Sequence, residues 1–248
     1  MHRFFILTDS MKGEIITFDN AISHQIGHVL RLREGGRIII CDNTGTEYVC
    51  EIISLGENCT ARITEKLKGL PEPSLKITLC QSLIKSDKME WLLQKGTEIG
   101  VSAFAPVNAS RTAVSAKEVS ANKMERWKRI VQEAAEQCGR SRIPEILPPA
   151  KFKDAIKSFK DVPVFFINEN ENQISLKKAA DSIKNQSQKD VVLFIGPEGG
   201  WDQSEVALAE SAGARSLSLG RRILRAETAG IVASTILLYE AGELELRG

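Results

Sequence analysis

The chain has 248 residues, 42% of them hydrophobic and 26% charged, with a net charge of +1; this is ordinary globular composition for one large or two smaller domains. A balance so close to neutral excludes a protein that coats nucleic acid by overall charge, while leaving room for a local basic patch. No apolar run approaches the roughly 20 residues that span a bilayer, the opening residues are too soon acidic for a secretory signal, and the five cysteines (41, 50, 59, 80 and 138) lack Cys-x-x-Cys spacing, as expected of reduced core thiols in a cytoplasmic protein.

Residues 1 to about 70 read as short strands at 3–7, 37–41, 47–53 and 59–65. Turn signals separate them, among them Asp42-Asn-Thr-Gly45 and Leu55-Gly-Glu-Asn58. Short strands at this spacing predict a small β-barrel. Residues 23–33 read as one helix with Ile26, Val29 and Leu30 facing inward and His24, His28, Arg31 and Arg33 outward. The two histidines stand at i and i+4, but with no nearby cysteine and only His2 as a third histidine, no metal site is expected. Their face fits an RNA contact and equally a solvated helix. Residues 67–74, with two prolines and a glycine, form the expected domain boundary.

From Leu75 the pattern alternates. Strands are expected at 75–83, 103–107, 162–167, 191–195 and 217–219. Helices are expected at 85–99, 117–138 and 175–184, with others starting near 202 and 227. Met124, Trp127, Val131, Ala134 and Cys138 recur at helical spacing and read as core. This alternation predicts an α/β domain over 74–248 with a largely parallel sheet.

Two loops in the last third carry the chemistry. The first, Phe194-Ile-Gly-Pro-Glu-Gly-Gly-Trp201, joins a buried strand to a helix whose start is marked by Asp202 and Glu205 as a capping box. Its glycines permit positive φ and close approach of backbone to a ligand, at a place where α/β sheets bind ligands. An ordinary glycine-bearing βα turn fits it as well. The second, Leu219-Gly-Arg-Arg-Ile-Leu-Arg-Ala-Glu-Thr-Ala229, brings three arginines with no acid between residues 211 and 226. Small residues on the helix that follows (Ala229, Gly230, Ala233, Ser234) suit tight packing on another backbone.

Together these motifs resemble the knotted SPOUT methyltransferases, specifically the bacterial 16S ribosomal RNA uridine-N3 methyltransferases, over essentially the whole chain. The resemblance implies a SPOUT domain with a C-terminal trefoil knot over residues 74–248. It also implies a PUA-like RNA-binding β-barrel over residues 1–70 and a homodimer. The implied cofactor is S-adenosylmethionine; the implied substrate is a uridine of the small ribosomal subunit, uridine 1498 by family resemblance. Carried over by motif, cofactor roles fall on Gly196, Glu198, Gly199, Gly200, Leu217, Leu219, Gly220, Ile223 and Leu224, with Leu79, Gln81 and Asn168 bordering the pocket.

N3 lies on the Watson–Crick edge, so the target base must be unpaired or flipped out. N3 also carries a proton that must be removed. Arg225 is expected to face the base, where positive charge favours a uracil anion, while Arg221 and Arg222 hold phosphates or exchange roles with it. Glu198 and Glu227 are candidate proton acceptors or orienting groups. Each also fits stabilisation of a helix N-terminus. Arg111, Arg140 and Arg142 are read as further RNA-binding groups, or as a basic helix end in the case of the last two. The rival readings are a ribose 2′-O methyltransferase, disfavoured by Gly-Arg-Arg-Ile-Leu-Arg, and a non-catalytic ribosome assembly factor. A nucleotide-phosphate enzyme is disfavoured because no Lys-Ser/Thr follows the glycines.

Overall fold

The computed structural model describes residues 1–6, 10–184 and 190–245. The chain divides into two compact units, Met1–Glu72 with Gln132–Ile143, and Pro73–Val131 with Pro144–Gly248.

The first unit is built on a six-stranded sheet. Its strands are β1 (His2–Phe5), β2 (Met11–Lys12), β3 (Ile15–Thr17), β4 (Arg37–Cys41), β5 (Thr46–Ser54) and β6 (Thr60–Lys68), in the order β1-β4-β5-β6-β3-β2. Every neighbouring pair is antiparallel except β1 with β4. Alternation sets the faces: in β4, Ile38 and Ile40 are buried while Arg37 is exposed, the period of two that a pleated strand imposes. Phe4, Ile16, Phe18, Ile26, Cys50 and Ile52 complete that core. β2 and β3 were not expected from the sequence, because two or three residues are too few to show a period. Of the strand expected at 3–7, Leu7 lies outside the described residues.

The helix expected at 23–33 is shorter and changes pitch. Asp19 caps α1 (Asn20–His24) by accepting a 2.8 Å hydrogen bond from the Ile22 amide, as an N-cap aspartate should. A single π turn follows over Gln25–Val29, closed by the Leu30 amide on the Gln25 carbonyl at 2.9 Å. Wider turns of this kind shift the phase of the apolar stripe. Ile26 is therefore fully buried, whereas Val29, expected inward, is 62% exposed. Arg31, at φ 52°, lies beyond the helix.

Residues 132–143 join this unit through specific long-range bonds for which there is no local sequence signal. The Phe5 amide donates to Glu136 (3.1 Å), the Ser141 hydroxyl to the Leu70 carbonyl (2.9 Å), and the Ile143 amide to Asn43 (2.7 Å). Ala135 packs beside Phe5 and Cys41.

The second unit has seven strands, all parallel. They are β7 (Lys76–Ser82), β8 (Ala103–Asn108), β9 (Glu145–Ile146), β10 (Ala150–Lys151), β11 (Val164–Ile167), β12 (Asp190–Ile195) and β13 (Arg215–Leu217). The order is β10-β8-β7-β12-β11-β13, with β9 also on β8. Residues 191–195 are all buried, the continuous apolar run of a strand covered on both faces. The helices are α2 (Ser86–Ile99), α3 (Ala121–Cys138, whose last turns group with the first unit), α4 (Phe152–Ser158), α5 (Leu176–Lys184), α6 (Gln203–Ser211) and α7 (Ala226–Glu240). Gly100, at φ 109°, ends α2 as a left-handed cap. The short elements β9, β10 and α4 were not anticipated, and the strand expected at 217–219 is displaced two residues toward the N-terminus. Beyond it, Ser218 still bridges to Ser175.

After β13, at the sheet edge, the chain returns to the middle: α7 packs on α2, α5, β7 and β12. The seat is made by Gly230. A Cβ there would lie 2.8 Å from Gln81 Oε1 and 3.0 Å from Leu92 Cδ1, inside contact distance of two buried side chains. Replacing Gly230 with Val overpacks this layer; urea unfolding should show a loss of about 1–3 kcal/mol.

Candidate functional site

The segments following β11 and β12, and the segment joining β13 to α7, enclose a cavity of about 550 Å³. It is lined by residues 167–169, 195–198, 200–201 and 218–226, with Lys88 and Ala229. This is the carboxyl edge of a parallel sheet, where strand ends and helix starts converge.

The first wall is the loop after β12. At Gly196 a Cβ would meet the Trp201 indole at 3.0 Å, and at Gly200 (φ 68°) it would fall on the Glu169 carboxylate. Both positions therefore require glycine to keep the loop in this path. Trp201 fixes the far end of the loop. Its indole N–H donates to the Ile167 carbonyl at 2.8 Å, and its ring stacks on Phe166 with centroids 4.4 Å apart.

α6 then begins with the capping box expected from the sequence: Asp202 accepts from the Ser204 amide (3.0 Å) and Glu205 from the Asp202 amide (3.1 Å). Hydrogen bonds from Ser204 hold the Asp202 carboxyl below the usual carboxylate range. Buried Glu205 also accepts from the Ser110 amide at 2.7 Å, tying the segment after β8 to the start of α6. Arg111 reaches the Gly199 carbonyl (3.4 Å) and Asp202 (3.3 Å). The group assigned to RNA from the sequence is thus engaged in bracing the glycine loop.

The second wall runs from β13 to α7. Ser218 accepts from the Gly220 amide (3.2 Å), and Gly220 turns at φ 103°. Arg221, Arg222 and Arg225 are exposed along the cavity, Ile223 is 85% exposed and Leu224 is half-buried. Arg225 occupies the N-cap position of α7 without capping it by its side chain. Glu227, in the first turn of α7, is buried, and its Oε2 has no hydrogen-bond partner among the described residues.

Lys88 of α2 connects the walls. Its Nζ stands 2.7 Å from Glu198 Oε1 and 3.8 Å from Glu227 Oε1. The hydrogen bond to Glu198 raises the Lys88 pKa above the ordinary lysine value, against smaller opposing effects of desolvation and of Arg225.

Of the groups expected at the cofactor pocket, Asn168, Gly196, Glu198, Gly200, Leu219, Gly220, Ile223 and Leu224 line the cavity. Leu79 and Gln81 do not; they are fully buried beneath Gly230. Leu217 is buried within β13, and Gly199 faces Arg111. In the first unit, His24 and His28 are exposed and stacked at 4.9 Å, and Arg31 and Arg33 are exposed. Arg140 binds Glu72 through Nε and Nη2, and the Arg142 backbone amide donates to Glu72 while its guanidinium donates to the Thr44 carbonyl. Lys88, Glu169, Trp201 and Ser218 also line the cavity but were not singled out beforehand. Trp201 lies inside the first motif, Ser218 directly before the second and Glu169 beside Asn168, whereas Lys88 sits in a helix legible only by its apolar stripe.

A family model described as an RNA methyltransferase domain matches residues 71–238. The chain belongs to the RNA methyltransferase family. A model described as the RNA methyltransferase PUA domain matches residues 18–64. Among relatives of this methyltransferase, ribosomal RNA small subunit methyltransferase E of Bacillus subtilis is 33% identical over 97% of both chains. The Synechocystis protein of the same name is 32% identical over 94% of this chain and 75% of its own. Two solved structures are similar along nearly their whole length. A Legionella pneumophila protein with bound SAM has 30% identity and a TM-score of 0.87, each chain covered to 96%. Ribosomal RNA small subunit methyltransferase E of Neisseria gonorrhoeae, bound to S-adenosyl methionine, has 29% identity and a TM-score of 0.84, with 96% and 97% covered.

Glu205 should prove structurally costly to remove. Glu205→Ala leaves the Ser110 and Asp202 amides without their acceptor, and denaturant unfolding should register a loss of about 1–3 kcal/mol.

Proposed function

We propose that this methyltransferase uses S-adenosylmethionine to methylate N3 of a uridine in 16S ribosomal RNA of the small subunit. The observation that carries the reading is the cavity at the carboxyl edge of the sheet, cleared by Gly196 and Gly200 and walled by both motif loops. Its composition fits the cofactor. Leu219, Ile223 and Leu224 offer apolar surface for an adenine, and Asn168 and Glu169 offer polar groups for ribose hydroxyls or a positively charged methionine end. When bound, the cofactor supplies an electrophilic methyl group.

The chain's own residues handle the base. Exposed Arg225 on the cavity wall would face uracil O2 or O4, where a cation stabilises charge left by the departing N3 proton. Glu198 and Glu227 are the carboxylates available to accept or orient that proton. Holding the base in line with the methyl group contributes about 7–11 kcal/mol toward the barrier when alignment is complete. Arg221 and Arg222 project as phosphate contacts, and His24, His28, Arg31 and Arg33 supply a basic face for RNA on the first unit.

Three further elements belong to the same proposal. A homodimer is supported by α7, where Ile231, Val232 and Ile236 are half-buried and Tyr239 is 63% exposed; a second copy would cover this apolar face. The trefoil knot is supported by the return of the C-terminal segment from the sheet edge to its centre. Action in the cytoplasm follows from a ribosomal substrate; no helix among the described residues is long and apolar enough to cross a membrane.

Calorimetric titration with S-adenosylmethionine tests the cofactor assignment. Wild-type protein should bind saturably, and Gly200→Val, strained at positive φ and pressed on Glu169, should lose about tenfold or more in affinity, at least 1.4 kcal/mol. Absence of wild-type binding, with and without small subunits, would remove the methyltransferase reading in favour of an assembly factor.

A further inference from the structure

Lys88 belongs to neither motif loop, yet it joins both. It extends from the first turn of α2 to Glu198 on the glycine loop and to Glu227 in the first turn of α7. The contact is graded in depth. The Glu227 side chain is 11% exposed, Lys88 25% and Glu198 32%. Fully solvated ion pairs contribute little; this one runs from a buried carboxylate outward to a carboxylate that lines the cavity.

The oxygens of the two carboxylates are used differently. Glu227 Oε2 is buried and unpartnered, and hence inaccessible to a base in the cavity. Glu198 Oε1 accepts from Lys88, and among the described residues Glu198 Oε2 makes no hydrogen bond. Glu198 therefore has a spare acceptor on a residue that lines the cavity, whereas Glu227 is not among the lining residues. Without the ammonium between them, the two negative charges would repel and the glycine loop would lose its tether to α7.

We propose that Lys88 is a positioning residue: anchored on buried Glu227, it holds Glu198 with its free oxygen toward the cavity as the acceptor of the uracil N3 proton. In that step the N–H bond breaks, its electron pair stays on N3, and a new O–H bond forms on Glu198 Oε2. The proposal rests on the methyltransferase reading above and divides roles between the two carboxylates left open there. A base oriented by a second group that is itself fixed by a third follows the general logic of activated catalytic sites.

The test compares wild type, Lys88→Met, Lys88→Arg and Glu227→Gln with three readouts: kcat on small subunits at saturating S-adenosylmethionine, cofactor Kd by calorimetry, and hydrogen exchange of residues 196–201. Lys88→Met should lower kcat about 100-fold, the scale of losing an oriented general base. Its cofactor Kd should stay within about threefold of wild type, while exchange in the glycine loop rises. Lys88→Arg, which retains the cation, should recover most of kcat and the protection. Glu227→Gln should resemble Lys88→Met in both respects. Unchanged exchange in Lys88→Met overturns the positioning role whether or not any variant is active. Wild-type kcat in that variant, or a kcat loss matched by loss of cofactor affinity, overturns it too. A wild-type protein that transfers no methyl group defeats the methyltransferase reading itself, a separate outcome.

Discussion

The second unit depends on α7 lying almost in contact with β7, and that closeness depends on the missing side chain at position 230. With Gln81 Oε1 and Leu92 Cδ1 already where a Cβ would reach, any larger residue pushes the helix outward. Because α7 starts at Ala226, the same displacement would carry Arg225 and Glu227 away from Lys88 and the glycine loop. The packing constraint and the chemistry are one arrangement: a helix brought back to the sheet centre delivers its N-terminus to the strand ends.

Around that point the cavity is assembled from pieces with separate supports. The glycine loop is held from one side by Trp201, bonded to the Ile167 carbonyl, and from the other by Arg111 on the Gly199 carbonyl. Glu205 adds a buried link from α6 to the segment after β8. Lys88 then ties the loop to α7. A preorganised wall of this kind costs no rearrangement when charge develops on the substrate, which is the condition under which electrostatic stabilisation is effective.

Much of this was legible in the sequence because its signals are local. The run at 191–195 announces a doubly covered strand, Asp202 and Glu205 announce a capped helix, and the paired motifs carry the family resemblance that the family model and the relatives bear out. What was not legible comes from long-range pairing. Arg111 and Arg140 look alike as basic residues, but Asp202, Gly199 and Glu72 decide what they do, and nothing near them in the chain says so. Val29 turns outward, against the helical period, because one π turn shifts the stripe. Leu79 and Gln81 were placed at the pocket because they lie near the end of β7, whereas the close seat of Gly230 covers them. Lys88 escaped because an amphipathic helix is read by its apolar face, and the functional group stands on the other.

The central claim, transfer of a methyl group to uracil N3, is tested most directly by the identity of the product. Small subunits lacking the modification would be incubated with the protein and S-adenosylmethionine, and the digested 16S ribosomal RNA analysed by mass spectrometry for methylated nucleosides. The account predicts 3-methyluridine as the new nucleoside. A ribose-methylated nucleoside, or none at all from protein that binds the cofactor, would contradict it.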